Sequence, residues 1–336
     1  MENIIIYRFG SLGDTIVALP CFHKIAQSFP TATRILLTNV PVSTKAAPLE
    51  AILGGSGLVD RVIAYPVGTR SVLKVWRVSR EIRAANATTL IYLMPARGRL
   101  AAIRDFIFFR LSGVRRIIGL PATADLQNNR VDSATGYLER ECERLVRTMA
   151  ALGPIDLAAP GAWDLVLTEQ EKLAGRQCVD QFGGIPFLAI NMGGKAAEKD
   201  WGAQRWTELL AALSKTHSGY GLLILGAAED SARARAVSGH WPSRVVDACG
   251  RLPPRESAAA LRFASIFIGH DSGPLHLAAV SDVPCVGLFG GLYRPKKWHP
   301  YAKAQRIIHR MEGMSAITVD EVVAAVSALL PRGAHS

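Results

Sequence analysis

The chain has 336 residues, 49% of them apolar, and a formal charge of +11. That length exceeds what one hydrophobic core supports and predicts two domains of roughly 150 residues each, with ample apolar material for both cores. Cys21, Cys142, Cys178, Cys249 and Cys285 lie far apart with no CxxC pair, which excludes a zinc site or a disulfide framework and leaves buried thiols as the expectation.

The opening "MENIII" lacks the features of a signal peptide, and no uncharged stretch approaches the roughly 20 residues of a membrane span. A cytoplasmic protein is expected. From there the chain alternates short β-rich runs with helical segments, a rhythm that predicts parallel sheets covered on both faces. "NIIIY" (3–7) is the first strand, and it runs into the turn "FGSLGD" (9–14), where Asp14 opens a helix expected over Thr15–Phe29. In a doubly wound sheet such a turn lies where ligands bind, beyond a strand's carboxyl end. Its spacing is neither a GxGxxG fingerprint nor a Walker A loop, and by itself it leaves Asp14 equally readable as a first-turn acid favoured by the helix dipole.

"RILLT" (34–38), "RVIAY" (61–65), "TLIYLM" (89–94) and "RIIGL" (116–120) follow as strands, with a helix over Val72–Ala85. Between Arg61 and Arg116 cations far outnumber acids, which are confined to Glu81 and Asp105. The stretch "RSVLKVWRVSREIR" (70–83) repeats cations on more than one face, Arg77 and Arg80 among them. Such a field suits an anionic membrane face or an acidic glycan, although a solvated basic surface with no specific partner also accounts for it. Nucleic acid is not expected as a partner, since there is no zinc-finger spacing, no RNP-like aromatic motif and only 7% aromatic residues.

A Gly/Pro/Ala-rich stretch, "ALGPIDLAAPGAW" (151–163), reads as the linker, and the rhythm restarts with "FLAIN" (187–191), "GLLILG" (221–226), "RVVD" (244–247), "SIFIG" (265–269) and "PCVGLFG" (284–290). The expected divisions are residues 1–160 and 161–318, followed by a C-terminal helix (319–336) that packs back on the first domain. Two loops of the second half carry chemistry. After "FLAIN", Gly193 and Gly194 lead to a polar loop with Lys195, Glu198 and Lys199, whose two lysines are able to neutralise a diphosphate, although a solvated loop explains them as well. In "GHDSGPLHLAA", Asp271, Ser272 and Gly273 precede a helix started by Pro274, so the amides of Ser272 and Gly273 are placed for a phosphate, and His276 adds a polar group that a plain cap does not need.

"RFGSLGDTIVALP", "EKDW" and "HDSGPLHLAA" resemble, in order and separation, the signatures of glycosyltransferase family 9, which contains the lipopolysaccharide heptosyltransferases. The resemblance covers both halves. It implies an α/β GT-B architecture: two doubly wound Rossmann-like domains facing a central cleft, acceptor on the first and nucleotide sugar on the second. It further implies Asp14 as general base and Lys199 as the diphosphate-neutralising lysine. Donor contacts then fall on Gly193, Gly194, Lys195, Glu229, Asp271, Ser272, Gly273 and His276, and acceptor contacts are assigned to Ser11, Gly13, Arg77 and Arg80. The chain departs from the family pattern at "GGLYRPKKWHPY" (290–301) and at His270. The expected reaction is inverting and needs neither cofactor nor metal, the sequence having no Asp-x-Asp. Heptose from ADP-heptose and an anionic glycan or glycolipid such as the lipopolysaccharide core are the substrates implied, with peripheral contact at the inner-membrane surface. A nucleotide-sugar epimerase, a non-catalytic sugar-binding module, another nucleotide sugar and a protein acceptor stay open at this point.

Overall fold

The computed structural model describes residues 2–39, 49–66, 68, 71–194 and 196–330. The chain divides into two compact units, Met1–Val166 and Leu167–Ser336.

In the first unit the elements run β1 (Asn3–Tyr7), α1 (Leu12–Val17), α2 (Leu19–Ser28), β2 (Thr33–Asn39), α3 (Glu50–Leu53), β3 (Arg61–Tyr65), α4 (Val72–Ala84), β4 (Thr89–Tyr92), α5 (Arg99–Leu111), β5 (Arg116–Ile118), α6 (Ala124–Gln127) and α7 (Glu141–Thr148). The strands form a parallel sheet in the order β3-β2-β1-β4-β5. Ile4, Ile5 and Ile6 of β1 are fully buried, as a strand covered on both faces requires. Val78 and Ile82 of α4 and Phe109 of α5 pack with Ile5, Leu37 and Leu90 into one core, so both helices cover the same face. The helix expected over Thr15–Phe29 is two helices, because Ala18 closes α1 and Pro20 starts α2.

The second unit contains α8 (Glu169–Asp180), β6 (Phe187–Asn191), α9 (Ala203–Ser214), β7 (Gly221–Leu225), α10 (Ser231–Ser238), β8 (Val245–Asp247), α11 (Pro254–Leu261), β9 (Ile266–His270), α12 (Gly273–Val280), β10 (Cys285–Phe289), β11 (Gln305–His309) and α13 (Val319–Leu329). Its parallel sheet has the order β11-β10-β9-β6-β7-β8. The edge strand β11 was not expected. Its residues are part-exposed and polar at both ends, so it carries no continuous apolar run. Helix α13 forms where expected, and Val322, Ala325 and Val326 enter the second unit's core with Trp201 and Leu209.

Each sheet reverses its winding once, between β1 and β4 in the first unit and between β6 and β9 in the second. Crevices for ligands open at the carboxyl ends of such strand pairs. All five cysteines are buried free thiols, and no helix among the described residues is long and apolar enough to cross a membrane.

Candidate functional site

In the first unit the turn 8–11 leaves β1 at the reversal point. Arg8 is fully buried beneath it and donates from Nη1 to the carbonyl of Leu93 at 2.8 Å and from Nη2 to the carbonyl of Asp14. Gly10 adopts φ +148°, and a Cβ there would come within 2.3 Å of the Asp14 Cβ. Only glycine lets the turn close against that side chain. Asp14 occupies the third position of α1, and its Oδ2 accepts from the Ser11 amide at 2.9 Å and from the Ser11 hydroxyl at 3.0 Å. The carboxylate is thus a capping group whose two bonds converge on one oxygen, which fixes its direction. Gly13 lies within the first turn of α1, while Arg77 and Arg80 stand exposed on α4, Arg80 4.8 Å from the centre of the Trp76 ring.

Sequence reasoning missed Arg97. It follows β4, the strand beside β1, and donates to the phenol oxygens of Tyr92 (3.2 Å) and Tyr7 (3.3 Å) and to the carboxylate of buried Asp105. Tyr7 and Tyr92 end β1 and β4. Burial pushes the Tyr92 phenol up to about 12 and raises Tyr7 as well, so both stay protonated at neutral pH. The available signal was topological: a cation in the loop after the strand that borders β1.

In the second unit the loops after β6 and β9 meet at the reversal point. Lys199 Nζ lies 2.7 Å from Asp271 Oδ2, so residues 72 positions apart in the chain form an ion pair. Two anchors place the lysine. Trp201 is buried and donates from Nε1 to the carbonyl of Ile317 at 2.9 Å, and Asp200 takes a bidentate pair from Arg233 at 2.7 and 2.8 Å. The ammonium also stands 5.2 Å from the centre of the Tyr293 ring, which brings the divergent 290–301 loop to the site. Ser272 is the N-cap of α12, and its hydroxyl donates to Asn191 Oδ1 at 3.1 Å, tying the β9 loop to the end of β6. Gly273 begins α12 and His276 is buried in its first turn. A cation beside a helix N-terminus is an arrangement that holds phosphate.

Gly194 is open on its Cα side, whereas a Cβ on Gly193 would lie 2.2 Å from Asp230 Oδ2. Asp230, next to the expected Glu229, is thus the acid packed against the β6 loop, and its carboxylate accepts from the Ala227 amide at 2.8 Å. Glu229 itself is exposed. Lys195 lies outside the described residues. His270 is not a surface group of the loop but a core one: fully buried, with Nε2 accepting from Trp206 Nε1 at 3.2 Å.

Comparison with known proteins agrees with this architecture. The model of glycosyltransferase family 9 (heptosyltransferase) matches residues 109–322. The chain is 21% identical to lipopolysaccharide heptosyltransferase 3 of Escherichia coli K12, over 96% of this chain and 97% of that one. Among solved structures it superposes on a family 9 glycosyl transferase from Veillonella parvula with a TM-score of 0.72 at 18% identity, covering 98% and 97% of the two chains. It also superposes on the E. coli ADP-heptose lipopolysaccharide heptosyltransferase II with a TM-score of 0.68 at 18% identity and 98% coverage of each.

Proposed function

The chain belongs to glycosyltransferase family 9, and from that premise we propose that this glycosyltransferase moves heptose from ADP-heptose onto a lipopolysaccharide-core glycan, inverting the anomeric centre without a divalent metal. The observation that carries the reading is the pairing of Lys199 with Asp271 at the N-terminus of α12, on the sheet reversal where a nucleotide binds. The donor named for the structural neighbour supplies the nucleotide, and the acceptor named for the curated relative supplies the glycan.

A sugar hydroxyl is far too weak an acid to ionise at neutral pH, so its attack needs a base that takes the proton as the new bond forms. Asp14 is assigned that role: its cap bonds converge on Oδ2, leaving the other oxygen to accept the acceptor's proton. The hydroxyl oxygen bonds to the anomeric carbon as the carbon–oxygen bond to the diphosphate breaks, and ADP leaves with the electron pair. Lys199 and the amides of Ser272 and Gly273 stabilise the charge that grows on the leaving phosphate. Ser11, Gly13, Arg77 and Arg80 are assigned to the acceptor, with Arg97 added. Donor contacts fall to Gly193, Gly194, Glu229, Asp271 and His276. Because a lipopolysaccharide acceptor is anchored in a membrane, the enzyme would work at the inner-membrane surface.

The test is ADP release from ADP-heptose with and without a lipid-free core oligosaccharide, in EDTA, with the anomeric configuration of the product read by NMR. Release that requires acceptor, survives EDTA and gives the inverted linkage is expected. Release without acceptor, or greater thermal stabilisation by UDP, GDP or CDP than by ADP, overturns the reading. A ligand at 100 times its Kd stabilises by about 2.7 kcal/mol, which is enough to rank them.

A further inference from the structure

We propose that the outer face of α4 and α5 is a docking surface for an anionic lipid bilayer. Helix α5 buries Ala102, Asp105 and Phe109 against the sheet, yet its opposite side is apolar too. Leu100, Ile103, Ile107 and Leu111 recur at helical spacing along the exposed side, and Leu100 is 84% exposed. A helix with apolar stripes on both sides belongs between two apolar layers, and here the sheet supplies only one. Helix α4 continues the surface with Val72 (80% exposed), Leu73 and Trp76. The two helices are fastened side by side, since Arg83 Nη2 donates to the carbonyl of Leu111 at 2.6 Å and the hydroxyls of Ser112 and Ser79 hydrogen-bond at 2.9 Å. Scattered apolar side chains are ordinary on a protein surface. A contiguous set on two adjacent helices marks an interaction site.

Charge selects the occupant. Arg77 and Arg80 on α4 and Arg99, Arg104 and Arg110 on α5 surround the apolar stripe. Of the two acids in this segment, Asp105 is buried and already bound by Arg97 and Arg104, which leaves Glu81 alone on the exposed side. A second copy of the chain would set one cationic face against another, which repels. An anionic bilayer accepts both features at once: the Leu and Ile side chains sink below the phosphates, the guanidinium groups stay level with them, and Trp76 lies at the boundary. The choice of a bilayer over a soluble polyanion rests on the membrane-anchored acceptor proposed above.

The test uses the full chain with vesicles of phosphatidylcholine, with and without phosphatidylglycerol, in the absence of donor. Sedimentation with the phosphatidylglycerol vesicles alone is expected, accompanied by a blue shift of tryptophan emission that Trp76→Phe abolishes. The double variant Ile103→Glu/Ile107→Glu alters exposed positions, so its Tm and its transfer to a lipid-free acceptor should match the wild type while vesicle partitioning falls about tenfold or more. Failure of the wild type to sediment overturns the inference. So does undiminished binding of the double variant, which would assign vesicle binding to charge alone, and so does wild-type self-association that the double variant loses. Vesicle binding by a protein that transfers no heptose would remove the proposed function and leave the docking face standing.

Discussion

At the scale of single residues, one substitution separates the capping role of Asp14 from the base role proposed for it. As a cap it accepts two hydrogen bonds from Ser11, and an asparagine can still accept through its amide oxygen. As a base it must take a proton, which an amide cannot do. Asp14→Asn is therefore expected to unfold at nearly the wild-type temperature and bind ADP with nearly the same Kd, while kcat falls by about 100-fold or more. Normal turnover with an intact fold would leave Asp14 a cap alone. Lys199 is held by Asp271 on one side and anchored through Trp201 and Asp200 on the other. In the proposed mechanism its charge matters most as ADP departs, so Lys199→Ala should lower kcat by more than it weakens donor KM. Lys195→Ala is the control. Steady-state kinetics that made Lys195 the crippling position would move the leaving-group role to it.

At the scale of elements, the site depends on turns that the backbone permits in few ways. The β1–α1 turn needs Gly10 at positive φ with the Asp14 side chain folded over it. Gly10→Ala puts a methyl where the Asp14 Cβ already lies, so the turn or the carboxylate must shift. A loss of about 1–3 kcal/mol in chemical denaturation is expected, together with a drop in kcat that Gly68→Ala does not share, since nothing lies near a Cβ at Gly68. Equal effects at the two positions would show that the cost is backbone strain alone. Most strands were legible as apolar runs, because a parallel strand covered on both faces is apolar throughout. β11 was not, because an edge strand is covered less and keeps polar residues. The basic character of 61–116 was equally plain in the sequence. That α5 turns an apolar stripe outward was not, because a helix with apolar residues on both sides reads in sequence like any buried helix.

At the scale of the whole molecule, stability should depend on pH through His270. Burial holds its imidazole down at about 4, well under the ordinary 6.5, and its Nε2 accepts the indole proton of Trp206 only while unprotonated. The unfolded chain takes up a proton near pH 6.5, but the folded chain resists until about pH 4. The contribution is therefore complete above 6.5 and lost as pH falls toward 4, roughly 3 kcal/mol across that window. Urea denaturation of wild type should weaken between pH 7 and 5, and His270→Gln should flatten that slope. An unchanged slope in the variant would assign the effect to other groups. The sequence by itself determined the two α/β units, the covered parallel sheets and the three motifs that carry the family, because apolar periodicity and glycine-bearing turns are local properties of the chain. Only the tertiary structure decided that His270 is a core residue, that Asp230 packs on the β6 loop, that Arg97 borders the Asp14 turn, and that α13 shares a core with Trp201 and Leu209. Each of these depends on which strands lie side by side, and adjacency in a sheet is set by packing of residues far apart in the chain.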